Sequence, residues 1–146
     1  MTYIKELRKR AGDLPLVLVR PTAIIENNSG FILLVRYLDN TWGLPGGLME
    51  LGESTEETIM RELKEELNLE VSTLELYKVF SGKNFYSKSK HGETYYTAVV
   101  YCGSALNADI RTDNEEIIEY CNFDPWHIPD STTPIDQEII KEYRSK

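Results

Sequence analysis

The stretch that decides the fold is "GGLMELGESTEETIMRELKEELNL", Gly46 to Leu69, which contains seven glutamates. Ser54 is followed three residues later by Glu57, and this capping-box pattern marks the start of a helix. Apolar residues then recur every four positions, which predicts one helix face buried in a core. These residues are Ile59, Leu63 and Leu67.

Three of the glutamates, Glu62, Glu65 and Glu66, share one side of this predicted helix, because residues three and four apart are neighbours. Like charges at that spacing repel each other unless a cation lies among them. Mg²⁺ is usually coordinated by one or two carboxylates, and water molecules and substrate phosphates are its other ligands. The spacing therefore fits a magnesium platform, although on helical spacing alone a solvated acidic face is the more common explanation.

The composition limits the class of protein. A chain of 146 residues suits one domain, which we expect to span residues 1–146. Its formal net charge of −8 argues against binding to duplex nucleic acid. Cys102 and Cys121 lack zinc-site spacing and are typical of reduced thiols, and no apolar run reaches the ~20 residues that a membrane span needs. We therefore predict a cytoplasmic protein without membrane contact.

The order of the remaining segments indicates an α/β fold. Residues 2–11 predict a short amphipathic helix, and residues 15–19 predict a strand. The runs "TAIIE" and "FILLVRY" flank the turn signal "NNSG" and predict a hairpin. Three further strand candidates are "VSTLELYKVFSG", "ETYYTAVVYC" and "EEIIEYCNF", and "TPIDQEIIKEYR" predicts a closing helix with Pro134 at its start. Strands on both sides of one helix predict a layered α/β domain with a mixed sheet.

The wider string resembles the Nudix box. Five residues separate Gly47 from Glu53, and seven residues separate Glu53 from "RELKEELNL", Arg61 to Leu69. The chain departs from this signature at Asn68, where the family has glycine. Asparagine also adopts the left-handed conformation of a helix C-cap, so we expect a small stability cost and an intact site. The resemblance implies a Nudix-type α/β/α sandwich, and "WGLPGG" before the box is similar to the lead-in of many members.

The resemblance also implies roles for individual residues. Metal ligands would be Glu62, Glu65 and Glu66, together with the backbone carbonyl of Gly46, and Mg²⁺ would be the cofactor, with Mn²⁺ as a substitute. One of the glutamates, Glu65 or Glu66 in the first place, or a water that they hold, would supply the nucleophile. Arg61 and Glu53 would pair and hold the loop against the helix. A further glutamate from a later loop often joins the metal site, for which Glu116 is the candidate and Glu115 the alternative.

The segment from Gly82 to Tyr96 is the candidate for substrate binding. Its aromatic rings could stack on a base and its lysines could meet phosphate, and the residues we select are Phe85, Tyr86 and Lys83. A surface loop with some aromatic anchoring is the alternative, and His91 reads as an ordinary loop histidine. Trp42 and Trp126 are expected to anchor the core or a loop.

By resemblance, the reaction is the hydrolysis of a nucleoside diphosphate linked to another group. No proline stands about sixteen residues past the box, where many ADP-ribose enzymes carry one. A MutT-like nucleoside triphosphatase, acting also on oxidised nucleotides, is therefore preferred, and an ADP-ribose or nucleotide-sugar pyrophosphatase is the alternative. A non-catalytic nucleotide-binding or regulatory module of the same fold is the rival class, and a homodimer is left open.

Overall fold

The structure, a computed structural model, describes residues 2–72, 74–90, 92–107 and 109–146. Its helices are α1 (Tyr3–Ala11), α2 (Thr55–Leu67) and α3 (Pro134–Arg144). Its strands are β1 (Leu16–Ile25), β2 (Ile32–Tyr37), β3 (Trp42–Gly43), β4 (Glu75–Phe80), β5 (Tyr86–Ser89), β6 (Gly92–Gly103) and β7 (Ile117–Phe123).

The strands form two sheets. The first is a mixed sheet of four strands in which β1 pairs with β6 in parallel, while β4 and β5 each pair with β6 antiparallel. The second has three antiparallel strands in the order β3-β2-β7. The prediction of an α/β fold with a mixed sheet is confirmed, whereas the separate antiparallel sheet was not predicted.

The core has two layers, because successive residues of a strand point to opposite faces. Ile24 of β1 packs in a cluster with Ile139 and Ile140 of α3. Its chain neighbours on β1 pack instead with the apolar stripe of α2, in a second cluster. Both faces are thus covered in the second half of β1, residues 21–25, and in the first part of β2, residues 32–35. This explains why "TAIIE" and "FILLVRY" are continuous apolar runs rather than alternating ones.

The predicted hairpin around "NNSG" is wrong in its pairing. The two runs turn back on each other, but only Glu26 and Ile32 form a bridge between them. Beyond that bridge β1 belongs to the four-stranded sheet and β2 to the three-stranded sheet. The segment predicted as a short separate strand at residues 15–19 continues without a break into β1, so the first two predicted strands are one strand of ten residues.

In the part of the chain that the structure describes, none of the helices combines the length and the apolar character needed to cross a bilayer. The extent of a single domain over residues 1–146 stays a prediction.

Candidate metal centre

Helix α2 holds the candidate metal ligands, and local sequence sets both of its ends. The Ser54 side chain accepts a hydrogen bond from the Glu57 backbone N–H at 3.1 Å, and Glu57 accepts one from the Ser54 N–H at 2.9 Å. This is the predicted capping box. At the other end Asn68 adopts the left-handed conformation, with φ 53° and ψ 33°, so both predictions about the helix ends are confirmed.

Three carboxylates converge beside this helix. Glu62 and Glu66 are one turn apart on α2, and Glu116 approaches from the segment before β7. One oxygen from each lies within 4.8 Å of the others. Glu66 is only 4% exposed, so this is a partly buried cluster and not a solvated helix face.

Hydrogen bonds to the Asp113 carboxylate hold the segment that carries Glu116. One oxygen of the Asp113 carboxylate accepts hydrogen bonds from three consecutive backbone N–H groups, those of Glu115, Glu116 and Ile117, at 3.1 to 3.2 Å. The Asp113 backbone N–H donates to the Glu66 carbonyl at 3.0 Å. This bond satisfies a carbonyl that the helix end leaves unpaired, and it brings the turn against α2. The sequence prediction preferred Glu116 over Glu115, and the structure brings Glu116 into the cluster.

The electrostatics of the cluster favour a cation. Burial, followed by repulsion from Glu62 and Glu116, raises the pKa of Glu66 to about 9. Burial also raises the pKa of Glu62. Carboxylates placed so that they resist ionisation in the free protein are stabilised as anions by a bound positive charge. An all-oxygen donor set of this kind suits hard divalent cations such as Mg²⁺.

Glu65 lies apart from the cluster. Its side chain is 60% exposed, and its carboxylate receives an Arg61 Nη1 contact at 3.4 Å. The three glutamates that helical spacing selected therefore do not converge as a trio, because Glu65 turns toward the rim while Glu116 closes the site from another segment. A catalytic role for Glu65 stays a prediction, as does its role as a ligand.

Arg61 forms the predicted pair with Glu53 and also contacts Glu62 and the Leu48 carbonyl. Its Nε and Nη2 donate to the two Glu53 oxygens at 2.6 and 3.0 Å, a bidentate geometry. Its Nη1 donates to Glu62 at 3.0 Å, and its Nη2 donates to the Leu48 carbonyl at 3.2 Å. Arg61 thus links the loop before α2 to a member of the carboxylate cluster.

The two glycines before the helix are required by close packing. A Cβ atom at Gly47 would lie 2.3 Å from the Glu62 carboxyl carbon, and a Cβ at Gly46 would lie 2.4 Å from the Pro21 carbonyl oxygen. Both residues line the cleft with the carboxylate cluster. Coordination of a metal by the Gly46 carbonyl stays a prediction.

A cavity adjoins the cleft. The cleft of the carboxylate cluster has a volume of about 730 Å³. Tyr37 lines both this cleft and a second cavity of about 560 Å³. The walls of the second cavity come from β1, β5, β6 and the start of α3. Aromatic and charged side chains share its lining, among them Arg20, Tyr86, Tyr96 and Asp136.

Two charged residues of the second cavity, Arg20 and Asp136, were not predicted. Arg20 is half-buried and donates to the Tyr37 hydroxyl at 3.0 Å and to the Leu44 carbonyl at 3.4 Å. Asp136 is 4% exposed; its Oδ2 accepts from the Leu44 N–H at 3.1 Å and from the Thr133 hydroxyl at 2.8 Å. Within the described residues, Asp136 Oδ1 has no hydrogen-bond partner. The signal in the sequence that could have identified Arg20 and Asp136 is a charged residue placed within an otherwise apolar pattern.

The candidate substrate segment contains β5 and the first residues of β6, which pair with each other antiparallel. Tyr86 lines the second cavity. Phe85, 9% exposed, packs in the core beside Phe80 with ring centroids 5.7 Å apart, a position that argues against stacking on a base. Lys83 is exposed and is not among the described residues that line either cavity. His91 lies outside the described residues.

Both tryptophans have protein partners. Trp42 packs edge-on against Phe123 at 5.1 Å between ring centroids, which agrees with a structural role. Trp126 is 59% exposed, and the Arg144 guanidinium lies 4.4 Å from its ring centroid. Trp126 is therefore not part of the core, although it does help to fix the chain before α3.

Comparison with known proteins identifies relatives. The sequence profile described as NUDIX domain matches residues 18–143. A MutT-like protein of Streptomyces ambofaciens is 39% identical over 73 residues, which cover 49% of this chain and 47%, about half, of that protein. An ADP-ribose pyrophosphatase of Methanocaldococcus jannaschii is 29% identical over 125 residues, 82% of this chain and 69% of that protein.

A solved structure supports the fold. The crystal structure of a MutT NUDIX hydrolase from Burkholderia pseudomallei superposes with a TM-score of 0.73. The match covers 86% of this chain and 96% of that one, at 23% sequence identity. The structural prediction of a Nudix-type fold is confirmed by this likeness.

Proposed function

The chain belongs to the NUDIX domain family, and we therefore propose that it hydrolyses the phosphoanhydride bond of a nucleoside diphosphate linked to another group, with Mg²⁺ as cofactor. The observation that carries the proposal is the convergence of Glu62, Glu66 and Glu116 within 4.8 Å. The cavity that meets their cleft at Tyr37 offers room for the organic part of such a substrate.

We assign different residues to metal binding and to proton transfer in this reaction. A divalent cation bound at the cluster supplies positive charge to the phosphate oxygens and lowers the pKa of water. Glu62, Glu66 and Glu116 would hold it, and Arg61 fixes Glu62 in place. Glu65, exposed at the rim, is our candidate to accept the proton of the attacking water, because a carboxylate that is not occupied by the cation is a stronger base.

The second cavity supports a nucleoside as the bound group. Tyr86 and Tyr96 contribute aromatic rings to its lining, beside the charged Arg20 and Asp136. Aromatic rings in a cavity suit stacking on a base.

The substrate we propose first is a nucleoside triphosphate, ordinary or oxidised. ADP-ribose or a nucleotide sugar is the second candidate, because the Methanocaldococcus relative named as an ADP-ribose pyrophosphatase aligns over 82% of this chain. A cytoplasmic location accords with two free cysteines, Cys102 and Cys121, because the cytoplasm keeps thiols reduced.

The first experiment determines the reaction. The purified protein is incubated with Mg²⁺ or Mn²⁺ and a panel of oxidised and ordinary nucleoside triphosphates, ADP-ribose, dinucleoside polyphosphates and nucleotide sugars, and the products are identified. We expect release of a nucleoside monophosphate from at least one class. No hydrolysis of any compound, together with metal-dependent nucleotide binding, would instead indicate the regulatory module.

The second experiment tests the metal site without relying on activity. At about ten times its dissociation constant, Mg²⁺ should stabilise the wild-type protein by about 1.4 kcal/mol and raise its Tm by about 3–6 °C. Glu66→Gln should abolish this rise and reduce turnover at least about 100-fold. In EDTA the variant should melt no lower than wild type, because it removes repulsion within the cluster.

The matched control is Glu138→Gln, which removes a carboxylate from the exposed face of α3. It should keep the full response to Mg²⁺ and normal turnover. An unchanged Mg²⁺ response in Glu66→Gln would contradict the proposed site.

A further inference from the structure

We propose that Lys5, on helix α1, binds a phosphate of the substrate that the carboxylate cluster and its cation do not reach. This inference rests on the proposed function. Helix α1 spans Tyr3–Ala11 and precedes residues 18–143, the part that matches the family profile. The family match therefore assigns this helix no role.

Helix α1 is held at the cleft of the carboxylate cluster by a few polar contacts. None of its residues is fully buried. Arg8 donates to the Glu93 carbonyl at 3.2 Å and to the Thr94 hydroxyl at 2.5 Å, both at the start of β6. At the other end of the helix, the Tyr3 N–H donates to the Glu50 carboxylate at 3.4 Å. The helix thus joins β6 to the loop that leads into α2.

These contacts bring one face of α1 to the cleft. Lys5, with Thr2 and Ile4, lies among the residues that line the cleft of the carboxylate cluster. The Thr2 hydroxyl accepts from the Lys5 N–H at 3.3 Å and caps the helix, so the backbone that carries the lysine is ordered at this point.

Among the described residues, Lys5 is the uncommitted cation of the cleft. Seven of the described residues that line the cleft are acidic, and two, Lys5 and Arg61, are basic. The Arg61 guanidinium is already engaged by Glu53, Glu62, Glu65 and the Leu48 carbonyl. For the Lys5 ammonium, the described residues provide no hydrogen bond or ion pair.

A substrate with linked phosphates needs such a group. The negative charge of the linked phosphates exceeds what one cation neutralises, and the remaining carboxylates of the cleft repel the substrate. An ammonium is a compact charge on a flexible stem, able to follow a phosphate that is not held in a rigid geometry. The contact is present in the bound ground state as well as during reaction, so its loss raises KM more than it lowers kcat.

The test compares Lys5→Gln, Lys5→Arg and Lys9→Gln. Lys9 is an exposed lysine on the same helix that is not among the described residues lining the cleft. Lys9→Gln therefore removes the same charge from α1 as Lys5→Gln but leaves the cleft unchanged. Binding of inorganic pyrophosphate in the presence of Mg²⁺ is measured by calorimetry. Steady-state kinetics use the best substrate from the panel, and the Mg²⁺-dependent rise in Tm reports an intact metal site.

Lys5→Gln should weaken pyrophosphate binding and raise KM by about tenfold, with kcat changed less than about twofold. Lys5→Arg should restore most of the affinity, and Lys9→Gln should resemble wild type. Equal effects of the Lys5 and Lys9 variants, or none from either, would overturn the assignment of Lys5 while the proposed function stands. A wild-type protein that neither binds pyrophosphate nor hydrolyses any nucleotide would overturn both.

A second variant tests how the lysine is positioned. Arg8→Gln removes the anchor of α1 on β6, although Arg8 is not among the described residues that line the cleft. It should raise KM in the same way, and the double variant with Lys5→Gln should be no worse than the Lys5 variant alone, because both act through one contact. Multiplied effects in the double variant would overturn the positioning role.

Discussion

At the scale of single residues, the arginine–glutamate pair stabilises the loop before α2. The Glu53 carboxylate also accepts hydrogen bonds from the Glu50 N–H at 2.8 Å and from the Thr58 hydroxyl at 2.9 Å. The Arg61 guanidinium beside it, first among these causes, lowers the pKa of Glu53 to about 2. A depressed carboxyl pKa means that the folded protein favours the charged form, and this links stability to pH.

The pH dependence follows from the sign of that shift. The ordinary pKa of Glu53 is 4.5, so its contribution is fully present above that value and is lost as the pH falls toward about 2. Glu53→Gln should destabilise the protein by about 1–2 kcal/mol at pH 7, and this difference should shrink by pH 3. Urea unfolding of both proteins at the two pH values, with Glu138→Gln as control, measures it. A difference that is the same at both would contradict the assigned cause.

At the scale of elements, the end of α2 shows why the departure from glycine at Asn68 is tolerated. Asn68 takes the left-handed conformation, and its side-chain amide donates to the Asp109 carbonyl at 3.0 Å. Lys64 Nζ donates to the Asn68 side-chain oxygen at 3.2 Å. These bonds offset the strain that a side chain meets in this conformation.

Substitutions at Asn68 should separate conformation from hydrogen bonding. Asn68→Ala keeps the strain and loses the side-chain bonds, and should cost about 1–2 kcal/mol. Asn68→Gly relieves the strain while it loses the same bonds, and should change stability by less than about 0.5 kcal/mol. Urea unfolding gives both values, and the Mg²⁺-dependent rise in Tm should persist in each. A glycine variant as unstable as the alanine one would show that the hydrogen bonds dominate.

At the scale of the whole molecule, a half-buried arginine connects the two sheets to α3. Arg20 comes from β1, and it contacts Tyr37 at the end of β2 and the Leu44 carbonyl just after β3. It also interacts electrostatically with Asp136 of α3, whose Oδ2 accepts from the Leu44 N–H. Burial raises the pKa of Asp136, and the charge of Arg20 opposes this rise.

Removing the arginine should therefore be costly. Arg20→Met removes the hydrogen bonds to Tyr37 and the Leu44 carbonyl and leaves the buried Asp136 carboxyl without a nearby positive charge, so it should destabilise the protein by about 1–3 kcal/mol. Asp136→Asn removes the charge that needs compensation, so the double variant should be more stable than the sum of the single effects implies. A double-mutant cycle by urea unfolding measures this coupling, and additive effects would contradict it.

The local pattern of α2 was predictable from the sequence because it depends on near neighbours. The capping box at Ser54 and the stripe through Leu63 involve residues a few positions apart, and the structure reproduces both. The spacing of Glu62 and Glu66 likewise follows from one helical turn. Pairing between sheets was less predictable, since the turn at "NNSG" has the same local signal whether its two runs share a ladder or separate into two sheets.

The sequence by itself therefore determined the helix α2, its ends, its buried face, the Arg61–Glu53 pair and the family resemblance, because each is encoded within Gly46 to Leu69. Only the tertiary structure decided which carboxylates converge, since helical spacing places Glu65 as close to the cluster as its neighbours. Folding turned Glu65 to the rim and brought in Glu116, 50 residues beyond Glu66 in the chain. The physical reason is that the packing of helices against sheets, and not the local sequence pattern, sets the distances between segments that are remote in sequence.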